Sequence, residues 1–237
     1  MISAPVGNSK STLRRLDLIL LLIGLAVLGL TIAYPTLRLL LEAIGQWQPG
    51  ALARKGGWTA MRNTALISFL SVICAGIVGT GLALALARFA FPGRRVLSAL
   101  AYLPFTLPPL VGVVSFYYII GRDGFVPRFL EQAIGWENAA LEGPGAILLI
   151  HTYSFFVFFY AMVSASLESM DASLVEAART LGASRWRVFT RVTFPLLRPA
   201  LVGASLLTFM SSGASFSAPL IFGNDYPMLS VRIYEEQ

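Results

Sequence analysis

Asn63-Thr-Ala-Leu-Ile-Ser-Phe-Leu-Ser-Val-Ile-Cys-Ala-Gly-Ile-Val-Gly-Thr-Gly-Leu-Ala-Leu-Ala-Leu-Ala87 runs from Arg62 to Arg88 without one charged side chain. About 20 such residues, wound as a helix, cross the hydrocarbon core of a bilayer. Four further segments have the same character: 17–41, 96–120, 144–167 and 199–222. The pattern predicts an all-α, polytopic transmembrane helix bundle.

The composition of all 237 residues agrees. Hydrophobic residues make up 56% and charged residues 13%, with a mean hydropathy of +0.72. Soluble domains carry about 25% charged residues, and a soluble chain could not cover this much apolar surface with so few. The net charge of +6 would suggest a nucleic-acid partner in a soluble chain. Here the basic residues fall between apolar segments and act as topology signals, so no nucleic-acid partner is expected. Cys74 is the lone cysteine and has no internal partner. No Gly-x-x-x-x-Gly-Lys-Ser/Thr sequence occurs, so the chain holds no nucleotide by a phosphate loop.

Charge orients the bundle. With residues 1–16 inside, eleven Lys and Arg lie on the inner side, including Lys10, Arg14 and Arg15, and seven lie outside. Counting acids, the inner side carries +7 and the outer side −1. This is the asymmetry of the positive-inside rule. The basic start followed by Leu18–Leu30 could be a signal peptide, but no Ala-x-Ala-like site follows and apolar character continues past Pro35 to Leu41. We read an uncleaved anchor with an external linker, residues 17–62 together. A core at 63–222 follows, with an inner loop at 168–198, and residues 223–237 form an external tail that resembles a loop leading to another helix.

The inner loop is the most informative stretch outside the spans. Ser173 and Glu176 have capping-box spacing, with Asp171 as a competing N-cap. Leu174, Ala177, Ala178 and Leu181 repeat at three and four residues, which predicts a short helix with one narrow apolar face. Gly182 occupies the position where a left-handed residue ends such a helix. Ser184 can cap a second helix with Trp186, Phe189 and Val192 on one face, and Pro195 and Pro199 break the pattern before the next span. Two readings follow: an amphipathic hairpin on inner-leaflet phosphates, or a small rigid knob for a cytoplasmic partner.

Glu176-Ala177-Ala178, three residues, Gly182, nine residues, then Val192-Thr193-Phe194-Pro195 resembles the EAA loop of binding-protein-dependent ABC importer permeases. Val192 and Phe194 replace the aliphatic residues of that pattern. Asn63-Thr64, Leu103-Pro104 and Pro108-Pro109 also resemble the family's core, and the resemblance covers roughly residues 60–222. It implies that Glu176, Ala177, Ala178 and Gly182, flanked by Leu174 and Arg179, contact a cytoplasmic ABC ATPase dimer. It also implies a second permease half, a periplasmic solute-binding protein, and a place in a bacterial inner membrane. ATP is then used by the partner, and the chain binds no cofactor and catalyses no bond chemistry. A sixth core helix is missing from the pattern, so the chain resembles the first part of a fused permease of the ferric-iron, polyamine or phosphonate type. Ferric iron is the solute this branch suggests first.

His151, the only histidine, lies in the fourth apolar segment and has no second His or Cys to form a metal site. The fifth segment carries Ser205, Thr208, Ser211, Ser212, Gly213, Ser215 and Ser217, small residues that either permit close helix packing or line a solute path. Pro104, Pro108 and Pro109 should kink the third segment. The competing classes are an ion-gradient-driven secondary transporter, which would carry mid-membrane carboxylates that these segments lack, and a non-functional truncated permease. The charge asymmetry makes a direct prediction. A reporter active only outside the membrane works when fused after Ser230 and fails after Arg185; the opposite pattern would reverse the topology.

Overall fold

The computed structural model describes residues 9–45, 56–136 and 139–235. Pro49 of the linker therefore lies outside the described residues. The chain divides into two units, residues 1–51 and 52–237.

In the first unit, α1 (Ser9–Leu28) and α2 (Tyr34–Gly45) are joined end to end by a π-turn, Gly29–Ala33. The described helix contains the membrane-length stretch Asp17–Glu42. The π-turn ends where Tyr34 N–H bonds to the Gly29 carbonyl, one residue before Pro35. Proline lacks an N–H and its ring crowds the preceding turn of an α-helix. Widening that turn lets the helix continue through the proline.

The second unit begins with α3 (Gly57–Arg88), which supplies its central face. Asn63, Ile67, Ser71, Ala75, Gly79 and Ala83 recur every four residues and are all buried. α4 (Arg94–Leu100), α5 (Leu103–Thr106), α6 (Pro109–Ile120) and α7 (Phe125–Ile134) follow in short pieces. Then come α8 (Gly143–Glu168), the loop helices α9 (Ala172–Thr180) and α10 (Arg185–Val188), and α11 (Phe194–Gly213). α12 (Ser217–Phe222) and α13 (Leu229–Glu235) complete the described chain.

α3, α8 and α11 pack against one another as the core. Their contacts fall into three layers. Near the start of α3, Ile67 joins Val113, Ile147, Ile150, Phe222 and Met228. In the middle, Ala75, Phe159 and Ala204 meet. Towards its end, Ala83 and Leu86 pack on Tyr160, Val163 and Leu197. We call the end bearing α9 and α10 the loop end and the opposite one the strap end.

Two of the five apolar segments are broken where the sequence predicts single spans. The third bends by 106° between Arg94–Thr106 and Pro109–Ile134. Leu107 and Pro108 are extended there, with ψ of 130° and 134°, because a residue before proline is driven out of the α region. Two successive prolines therefore interrupt the helix where a single one would kink it. The fifth segment stops at Gly213 and resumes at Ser217. Conversely, Pro195 and Pro199 do not stop the helix they occupy. A second π-turn, Phe189–Thr193, precedes Phe194-Pro195, and residues Arg185–Gly213 form one continuous helix. Candidate spans thus number four, or five with the bent pair, among the described residues.

Residues 223–235, read from the sequence as part of an external tail, lie across the strap end. Met228 is buried in the outermost core layer. Asn63 Nδ2 donates to the Pro227 carbonyl at 3.0 Å, the Leu229 N–H donates to Thr64 Oγ1 at 2.9 Å, and Ser230 Oγ donates to the Ser215 carbonyl at 2.6 Å. Beside this strap, Glu142 accepts two bonds from the Arg122 guanidinium and one from Asn224 Nδ2 at 3.0 Å, tying three loops together.

The tightest approach in the core is at Gly79. A Cβ there would stand 2.7 Å from Phe159 Cβ and run into the Phe156 carbonyl, both on α8. Gly81, two residues on, has nothing within 4 Å. We expect Gly79→Ala to cost about 3 kcal/mol, the upper end of overpacking effects, and Gly81→Ala to be neutral. Thermal denaturation of the two purified variants would check this. Equal melting temperatures would show that α3 and α8 can separate without cost.

Candidate functional site

The loop at 168–198 has the local structure its residues require. Asp171 is the N-cap of α9, its carboxylate accepting from the Ser173 N–H at 2.9 Å. That bond holds the Asp171 carboxyl below its ordinary pKa. Asp171, and not Ser173, takes the cap: α9 begins at Ala172, and the Asp171 carboxylate accepts from one of the free N–H groups of its first turn. At the other end Gly182 has φ +78°. The Ala183 N–H bonds to the Ala178 carbonyl at 3.1 Å and the Gly182 N–H to the Arg179 carbonyl at 2.9 Å, the paired bonds of a Schellman turn. Ser184 then caps α10 by accepting from the Arg187 N–H.

The loop presents an unusual surface. Glu176, Ala177 and Arg179 are exposed and Ala178 is half-buried. Leu181 is 88% exposed and Trp186 73%, with Leu174 also largely open. No Cβ contact lies within 4 Å of Gly182. The result is a short, two-ended, capped helix with small residues and apolar side chains turned outward. Such a surface suits close approach by another protein.

A second feature is a half-open cavity between helices. A cavity of about 510 Å³ opens where the two broken segments face α8. Pro108 and Pro109 border it on one side and Ser215 and Ser217 on the other, with Tyr153 and Ser154 supplied by α8. Breaking a helix frees backbone groups that lipid cannot satisfy, so discontinuous helices in membranes sit where they face protein or a cavity.

Of the path residues chosen from the sequence, His151 and Ser215 border this cavity. Ser212 is buried against His151. Thr208 is buried one turn before Ser212 on α11, and Ser205, half-buried, donates to the Leu201 carbonyl. Ser211, Ser154 and Tyr153 also border the cavity. Ser211 belongs to the same serine-rich run, but assigning it to the cavity requires the rotation of α11, which one polar-rich sequence does not disclose. No group of three or more potential metal ligands occurs among the described residues.

Comparison with known proteins bears on both features. Residues 77–235 match the family described as binding-protein-dependent transport system inner membrane component. The molybdenum transport system permease protein ModB of Escherichia coli K12 is 35% identical over 170 residues, covering 72% of this chain and 73% of ModB. The sulfate transport system permease protein CysT of Escherichia coli K12 is 34% identical, over 70% of this chain and 59% of its own length. The ferric transport system permease protein FbpB of Actinobacillus pleuropneumoniae is 31% identical over 73% of this chain but only 25% of its own. The fold is shared, at a TM-score of 0.73 and 20% identity, with a chain of a bacterial ABC transporter that imports the polysaccharide alginate, covering 95% of this chain and 85% of that one. The chain belongs to the family of binding-protein-dependent inner-membrane permeases, the multi-pass transport subunits of ABC importers, which are not themselves enzymes.

Proposed function

We propose that the loop end faces the cytoplasm and that α9 docks on an ABC ATPase dimer through Leu174, Glu176, Ala177, Ala178, Arg179 and Gly182. The observation that carries this reading is the continuity of Arg185–Gly213. A helix that starts beside the knob and ends at the cavity converts movement of the loop into movement of the cavity wall. ATP binding to the partner closes its dimer, the loop follows, and the bundle changes the side on which the cavity opens. A second permease subunit completes the path, and a periplasmic binding protein delivers solute at the strap end. The chain itself binds no cofactor; ATP is consumed by the partner.

For the solute we propose a small tetrahedral oxyanion of the molybdate or sulfate kind. The cavity offers hydroxyls of Ser154, Ser211, Ser215, Ser217 and Tyr153, groups that donate to oxyanion oxygens in place of water. The ModB likeness extends over most of both chains. Ferric iron is the second reading, supported by the likeness to part of FbpB. A hard trivalent cation would favour carboxylate ligands, and the cavity is bordered by hydroxyls, prolines and rings. Uptake of labelled molybdate, sulfate and ferric iron by cells carrying the complete transporter separates the two readings. Accumulation of iron alone would overturn the oxyanion assignment.

The docking proposal is tested at Gly182. Its left-handed φ costs a residue bearing Cβ about 1 kcal/mol or more, and an aspartate there adds bulk and charge to the docking face. Gly182→Asp in the complete transporter is expected to keep near-normal membrane abundance, weaken ATPase co-purification and abolish uptake. Glu176→Ala should do the same more mildly, since it removes a polar contact and adds nothing. Full uptake by Gly182→Asp would mean that the loop is a hairpin on the membrane surface.

A further inference from the structure

The three core helices are joined near the cavity by a single buried polar cluster. His151 of α8 is buried, and its Nδ1 lies 2.9 Å from Ser212 Oγ on α11 and 3.2 Å from Ser71 Oγ on α3. The two serine oxygens are 3.3 Å apart, and Ser71 Oγ donates to the Ile67 carbonyl at 2.7 Å. A hydroxyl has one proton to give. With Ser71 donating to the Ile67 carbonyl and Ser212 to Ser71, both hydroxyl protons are used, and Nδ1–H is the remaining donor, nearest to Ser212 and shared with Ser71. His151 fastens the end of α11 to both of its neighbours, two residues before the break that borders the cavity.

Two other hydroxyls in the same interface are fully buried and have no hydrogen-bond partner: Ser68 Oγ on α3 and Thr208 Oγ1 on α11. A buried polar group without a partner is costly and calls for a reason. Their positions share a pattern. Ser68 is one turn from Ser71 towards the strap end, since α3 begins there. Thr208 is one turn from Ser212 towards the loop end, since α11 runs the other way. Gly213 already lies beside Ser68, whose Oγ would be 3.6 Å from a Cβ at that glycine. If α11 moves towards the strap end by about one turn, roughly 5–6 Å, Thr208 comes level with His151 and Ser71. The same movement brings Ser212 level with Ser68. Both orphaned hydroxyls acquire partners, while His151 Nε2, buried and without a partner in the present register, is left as it is. In the next layer α11 meets α3 through small residues, Ala204 against Ala75, and slides past Phe159 of α8.

We propose that His151 is a positioning residue of the transport cycle, a pin that exchanges Ser212 for Thr208 as α11 ratchets by one turn between two hydrogen-bonded registers. One-turn ratchets of packed helices are a known form of two-state switching, because close-packed interfaces have discrete arrangements. The proposal rests on α11 being driven from the loop, as argued above, and is independent of which solute is carried.

The test uses the complete transporter, with this chain purified together with its ATPase, in a Cys74→Ser background. Two cysteine pairs report the register: Ser71→Cys with Ser212→Cys, and Ser68→Cys with Ser212→Cys. The first is expected to cross-link without nucleotide. A non-hydrolysable ATP analogue should lower its yield and raise that of the second at least fivefold. Separately, Thr208→Val removes a hydroxyl that has no partner in the present register, so abundance and melting temperature should hold. It should nevertheless reduce permease-dependent ATP hydrolysis about tenfold, and Thr208→Ser should restore it. A cross-linking pattern indifferent to nucleotide would overturn the ratchet, as would parental ATP hydrolysis by Thr208→Val. Co-purification of the ATPase, measured on the same samples, distinguishes either result from failure of the docking proposal.

Discussion

Apolar side chains gain nothing by leaving lipid for protein, so the helices of this bundle hold together by how closely their backbones approach. The row from Ser71 through Ala75 and Gly79 to Ala83 provides that approach on α3. Phe156 and Phe159 of α8 fill the space a larger residue would need at Gly79. The rest of the second unit is arranged around this seam. α11 lies along it through Ala204, the broken helices close over its strap end, and the buried polar cluster sits within it. A wider seam would leave His151 and the two serines too far apart to share protons.

The number and place of the apolar segments were legible in the sequence because a bilayer demands long uncharged runs. The breaks were less so. Pro104, Pro108 and Pro109 announced a disturbance, and only the extended backbone at Leu107 and Pro108 shows it to be an interruption. Proline was also misleading in the opposite sense. Pro195 and Pro199 read as terminators, yet a π-turn two residues ahead of Pro195 absorbs the first and the helix continues. That turn has no signature beyond an aromatic residue before proline, which the first unit repeats at Tyr34-Pro35.

The loop was legible almost residue by residue, since caps and left-handed glycines are local chemistry. Asp171, Gly182 and Ser184 each take the part their side chains dictate. The strap was not. Asn63 and Thr64 stand out in the sequence, but their partners Pro227 and Leu229 are some 165 residues away. Pairings at that distance are fixed by packing, and no spacing rule encodes them. The same holds for Ser71, His151 and Ser212, three ordinary polar residues until the helices bring them together.

The turn at Phe189–Thr193 bears on more than the survival of a helix past its proline. A π-turn holds one residue more than the α-turn it replaces, and each residue of a helix advances the side chains by about 100°. The faces on the two sides of this turn are therefore out of phase. What the loop turns outward and what the shaft shows to α3 and α8 are set by separate registers, joined at one place. A lineage that gained or lost that single residue would swing the loop's exposed face by about 100° around an unaltered shaft. Orientation of the loop and closure of the core can thus change one without the other.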